Sequence, residues 1–118
     1  MKDLAPDIVR QRLLIEGYFS AEIDEAAIRE FFTGITDELG LRTYGTPTIF
    51  APGGEGRAEN QGYDAFVPLI DSGISLYVWT EARFLACVAF TCKAFDADRA
   101  VEFTSSFFRM GDIAWQIF

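Results

Sequence analysis

Ile74-Ser75-Leu76-Tyr77-Val78-Trp79-Thr80 alternates strictly, and Phe84-Leu85-Ala86-Cys87-Val88-Ala89-Phe90-Thr91-Cys92 follows after a short turn around Thr80 to Arg83. A period of two puts Ile74, Leu76 and Val78 on one face of a strand and Ser75, Tyr77 and Trp79 on the other. Two such runs joined by a tight turn predict neighbouring antiparallel strands. Asp71-Ser72-Gly73, just ahead of the first run, is a turn signal. Before it, Tyr63 to Ile70 reads as another strand, interrupted by Pro68.

Further upstream, Pro52-Gly53-Gly54-Glu55-Gly56-Arg57 leads on to Gly62 and reads as a connecting loop. Its glycines do not make a phosphate cradle, because no Gly-Lys-Ser/Thr follows and no helix opens after them. Arg42 to Phe50 is extended, and Pro47 within it marks an edge strand or a bulge. Leu13 to Phe19 reads as the first strand. Between these lies a helix with Ile23, Ala27, Ile28, Phe31, Ile35 and Leu39 on one side. Ser20 is the expected cap and Gly40 the expected stop. Gly34 weakens the middle of that helix by about 1 kcal/mol relative to alanine, so packing must hold it together.

A second helix is expected from Asp98 to Arg109, with Asp96 as its cap and Gly111 at its end. Its inward side carries Ala97, Ala100, Val101, Phe107 and Phe108, and Asp112 to Phe118 forms a closing strand. The order strand, helix, antiparallel strands, helix, strand predicts an α+β two-layer sandwich with both helices on one face of the sheet. The whole chain, 1–118, reads as one such domain. The open face needs a cover, and a second copy paired through the sheet is the simplest one. Trp79, Tyr77 and Ser75 make that face partly polar, which suits a ligand site or a wet interface.

The 118 residues include twelve Phe and are half apolar, enough for a core without staples. Acidic residues outnumber basic ones, 18 to 10, for a net charge of −8. Such a balance disfavours nucleic acid and anionic membrane surfaces as partners and suits a cationic one. There is no histidine. That removes histidine-assisted serine or cysteine nucleophiles, imidazole acid–base chemistry and imidazole metal sites. The two cysteines cannot hold zinc by themselves, and no metal site is expected. Cys87 and Cys92 lie five apart on an expected strand, face opposite ways and are not expected to pair. Free thiols, the lack of a signal-like start and the lack of an apolar run of spanning length predict a soluble, cytoplasmic protein.

The stretch Asp71-Ser72-Gly73-Ile74-Ser75-Leu76-Tyr77-Val78-Trp79-Thr80-Glu81, with Ala86 to Cys92 after it, resembles the core of the small prokaryotic S-adenosylmethionine decarboxylases. That family reads roughly Glu-Ser-His-x-Ser/Thr-Ile-His-Thr-Trp-Pro-Glu and then Ala-Ala-x-Asp-x-Phe-Thr-Cys. The spacings from serine to tryptophan, tryptophan to glutamate and tryptophan to cysteine match without a gap. The resemblance implies the same two-layer fold. It also implies a self-cleaving serine that becomes a pyruvoyl group, whose carbonyl is the electron sink for decarboxylation. On that resemblance Ser72 is the pyruvoyl precursor, Asp71 the residue before the cut and Cys92 the acid that protonates the product. Trp79 and Glu81 line the nucleoside site, with Ser75 beside them.

Several family positions differ. Gly73 replaces the histidine after the serine, and Tyr77 replaces the histidine that handles the processing proton. Asp71 stands for Glu, Asp64 for a Ser and Thr80 for the Pro after Trp79. A phenol, with an ordinary pKa of about 10, is a poor base at neutral pH, although Tyr77 occupies the position of one. The resemblance with these losses implies an uncut, catalytically weak or silent relative with no cofactor. Its expected partners are a copy of itself, a small amine or nucleoside, and an active paralogue. The alternative is a working decarboxylase with a pyruvoyl group made from Ser72, acting on S-adenosylmethionine or another amino acid.

Overall fold

The computed structural model describes all of residues 1–118. Six antiparallel strands form one sheet: β1 (Gln11–Phe19), β2 (Thr48–Phe50), β3 (Gly62–Leu69), β4 (Ser72–Trp79), β5 (Phe84–Thr91) and β6 (Met110–Ile117). Their order across the sheet is β2-β3-β4-β5-β1-β6. Helices α1 (Glu25–Glu38) and α2 (Ala97–Phe108) pack on one face, as the pattern of alternation and helical spacing requires. No helix is long and apolar enough to cross a membrane.

The core lies between the sheet and the helices. Leu13 and Ile15 of β1, Ile74, Leu76 and Val78 of β4, and Leu85, Cys87 and Ala89 of β5 point into it. From the helix side come Ile28, Phe31, Phe32, Ile35, Ala100 and Phe108. Phe31 is its hub, with its ring centroid 4.6 to 6.0 Å from those of Phe32, Phe103, Phe107 and Phe108. Gly34 has a packing reason: a side-chain carbon there would come within 2.4 Å of the Phe103 ring. The weak helix former is what lets α2 approach α1. Two threonines sit in the core on the helix faces and satisfy themselves locally. Thr36 donates to the Phe32 carbonyl at 2.7 Å and Thr104 to the Ala100 carbonyl at 2.8 Å.

Five local expectations need correction. Asp24, not Ser20, caps α1, accepting the Ala27 N–H at 2.8 Å. Ser20 instead donates its hydroxyl to the Arg109 carbonyl, 2.8 Å away, and ties the start of α1 to the end of α2. α2 ends at Arg109, which takes the left-handed conformation itself (φ 50°), so Gly111 already belongs to β6. Within Arg42 to Phe50 only Thr48–Phe50 is strand, an edge strand as Pro47 requires, with a single further bridge from Thr43 to Leu69. The β3–β4 turn is Ile70-Asp71, and Ser72 and Gly73 are already paired in β4. Cys92 lies one residue beyond β5, exposed, while Cys87 is buried within the strand.

Phe31→Ala removes the ring on which four others pack. It should lower the unfolding free energy by about 3–5 kcal/mol in urea denaturation. Tyr44→Ala, at an exposed position, should change it by less than about 0.5 kcal/mol. Similar small losses for both would show that Phe31 is not the hub.

Candidate functional site

The turn between β3 and β4 gathers three of the sequence-derived site residues. Asp71 is 4% exposed. Its carboxylate accepts two bonds from Arg42, one from the backbone N–H and one from Nη2, each at 3.2 Å. The Arg42 hydrogen bonds hold the Asp71 carboxyl below its ordinary range. The Arg42 carbonyl in turn accepts the Ile70 N–H at 2.8 Å, so one residue grips both sides of the turn. The Asp71 carbonyl accepts the Cys92 N–H at 2.9 Å. Ser72, on the other side of that carbonyl, has φ +124°. A non-glycine residue there is strained and persists only because its surroundings hold it.

The Asp71–Ser72 peptide is therefore fixed at both ends and polarised in the middle. Cys92 contributes its amide to this arrangement. Its thiol is exposed and free, whereas burial pushes the Cys87 thiol up to about 12.

The other sequence-derived residues lie elsewhere on β4. Ser75, Tyr77 and Trp79 point to the open face, as the alternation requires, and Glu81 is in the exposed turn beyond. Tyr77 is five residues from Ser72 on an extended strand, about 16 Å along it. Within one chain the phenol does not reach the serine. The site residues form two groups: Asp71, Ser72 and Cys92 at one end of β4, and Ser75, Tyr77, Trp79 and Glu81 along its face and far end.

Two participants were absent from the sequence reading. Arg42 is one, since nothing local in the sequence links it to a residue 29 positions away. The other is a shallow groove of about 310 Å³ on the open face, lined by Thr48, Phe50, Asp64, Phe66, Ser75 and Tyr77 among others. Asp64 lies directly across from Tyr77, and Phe66 across from Ser75. Recognising Ile70-Asp71 as the turn would have revealed both pairs, because turn length sets hairpin register. Phe66 also covers Gly73: a side-chain carbon on that glycine would come within 2.5 Å of its ring. The space beside Gly73 is filled by an aromatic ring. Further along the face, Trp79 packs on Phe84 and Phe84 on Tyr18, with centroids 5.6 and 5.3 Å apart. No cluster of His, Cys, Asp and Glu side chains has the geometry of a metal site.

Comparison with known proteins agrees with this architecture. A crystal structure of the adenosylmethionine decarboxylase from Aquifex aeolicus superimposes with a TM-score of 0.73 at 21% identity. The match covers 94% of this chain and 89% of that one, and it establishes a shared fold. No curated protein sequence matches the chain. The family model described as S-adenosylmethionine decarboxylase matches residues 11–118, from the first residue of β1 to the C-terminus. The chain belongs to the S-adenosylmethionine decarboxylase family.

Proposed function

We propose that this protein is a decarboxylase homologue that keeps its Asp71–Ser72 peptide intact and acts as a ligand-binding member of the family. One observation carries the reading: no proton acceptor adjoins the serine. The nearest carboxylate, Asp71, is engaged twice by Arg42 and held below its usual range. That makes it a weaker base than an ordinary aspartate. Tyr77, where family members carry the processing histidine, offers a phenolic hydroxyl rather than an imidazole. The chain has no histidine to take the role. The residues around Ser72 therefore do not fit the making of a pyruvoyl group.

The open-face groove supports the ligand. Phe50, Phe66 and Tyr77 offer exposed rings, and the Asp64 carboxylate, which takes part in none of the salt bridges, offers charge. Rings beside a carboxylate suit a small amine or a nucleoside bearing a positive group. A second copy seated through the sheet would deepen the groove and dry the face. Trp79, two residues from Tyr77, is placed to report binding by its fluorescence.

A second reading has its own support. The φ of +124° at Ser72 and the hydrogen bond on the Asp71 carbonyl are what a peptide bond poised for attack would need. That reading is a pyruvoyl-dependent decarboxylase of S-adenosylmethionine or another amino acid.

Carboxyl-labelled S-adenosylmethionine separates the two. The expected release of labelled carbon dioxide is no greater than from Ser72→Ala. Release well above that control, abolished by Ser72→Ala, would establish the second reading instead. The hold of Arg42 on Asp71 has a pH signature. A carboxyl whose folded pKa is depressed adds stability above its unfolded pKa and loses it as pH falls through the folded value. Arg42→Ala should therefore melt lower than the unaltered protein at pH 7. The difference should be steady above about pH 5 and shrink below about pH 4, the ordinary carboxylate range. A difference that does not vary with pH, followed by thermal melts, would show that the pair is not formed.

A further inference from the structure

The two edges of the sheet differ in kind. β2 is three residues long and lies between Pro47 and Pro52. Proline has no N–H to give a new strand, and a short edge offers little to pair with. β6 is eight residues long, with no proline, no lysine and one charge, Asp112. It carries none of the devices that keep edge strands apart along its outer half.

Its geometry there is regular. The Phe118 N–H donates to the Arg12 carbonyl at 3.2 Å, and Leu13, Ile15 and Gly17 pair with Ile117, Trp115 and Ile113. Antiparallel alternation then turns the backbone groups of Gln116 and Ala114 toward β1. Those of Ile113, Trp115 and Ile117 turn outward, without a strand to meet them. The register shift in this pairing lies at the other end, between Gly17 and Phe19. Side chains agree with the backbone. Trp115 and Ile117 are on the helix side of the sheet, opposite core residues of β1, yet they are 44% and 50% exposed.

We propose that β6 is an interface with a second copy of this chain, pairing antiparallel with itself about a two-fold axis through Ala114. Cross-strand partners share a face, so only whole-residue centres of symmetry are allowed. An axis at Trp115 would set Asp112 against the ring of Phe118. An axis at Ile113 would leave Ile117 beyond the overlap. The axis at Ala114 sets Ile113 against Trp115 twice on the helix side and Asp112 against Gln116 twice on the open side. It pairs the outward backbone groups of Ile113 and Trp115, and the Gln116 amide can donate to the Asp112 carboxylate. A near-neutral edge also suits self-association in a chain of net charge −8. The result is a continuous twelve-strand sheet that leaves the open-face groove untouched and is independent of any cover on that face.

The test uses the full chain with Cys92→Ser, so that the added thiol is the only exposed one. Ala114→Cys places two thiols on the axis, where strands pairing at such positions bring Cα atoms to about 4.5 Å. That is within disulfide reach. Mild oxidation should convert most of it to a covalent dimer, and Gln116→Cys, facing Asp112, should cross-link far less. Trp115→Lys in the otherwise unaltered chain should halve the assembly mass in sedimentation while circular dichroism stays native. Equal cross-linking at 114 and 116, or a native-like Trp115→Lys that keeps its assembly mass, would overturn the proposal. Should Trp115→Lys fail to fold, the cysteine comparison decides alone.

Discussion

Asp71 is the point on which the site depends. Its side chain is held by Arg42, its carbonyl by the Cys92 amide, and it forms half of a two-residue turn. Each tie comes from a different part of the chain: the connection after α1, the end of β5, and the hairpin itself. Together they set the register of β3 against β4. That register places Asp64 opposite Tyr77 and Ser72 at the start of β4. They also leave Ser72 no room to relax from its positive φ.

The same ties separate geometry from chemistry. A polarised carbonyl beside a strained serine is half of what self-cleavage requires. The other half is a group that accepts protons at neutral pH, and the ion pair that shapes the turn weakens the nearest candidate. Tyr77 puts a phenolic hydroxyl where family members carry a histidine, whose imidazole exchanges protons near neutral pH. Phe66 lies over Gly73, where family members carry a second histidine. Aromatic rings fill this part of the face.

Much of this was legible in the chain. Alternation in Ile74 to Trp79 assigned both faces of β4 correctly, and the serine, tryptophan and cysteine spacings pointed to the family. Helix-facing Phe31, Ile35 and Phe108 followed from periodicity. The failures share a cause, namely contacts between residues far apart in sequence. Ser20 looks like a cap, but its hydroxyl is taken by Arg109, while Asp24 sits closer to the first turn. Asp71 reads as part of a turn signal, and nothing near it in the sequence shows that Arg42 closes over it. Thr36 and Thr104 are polar residues on buried faces, and they escape the periodic pattern because they bond within their own helices. The turn was placed one residue late because Ser72-Gly73 is a better turn dipeptide than Ile70-Asp71. A register read from it hides the pairing of Asp64 with Tyr77.

The intact mass of the denatured protein bears most directly on whether the Asp71–Ser72 peptide survives. A single species of the full 118 residues is the expected result, with Ser72 still a serine. Two fragments, 1–71 and 72–118, would contradict it, the second lighter by one ammonia than a chain that begins with serine. They would mean that the strained peptide cleaves itself without histidine.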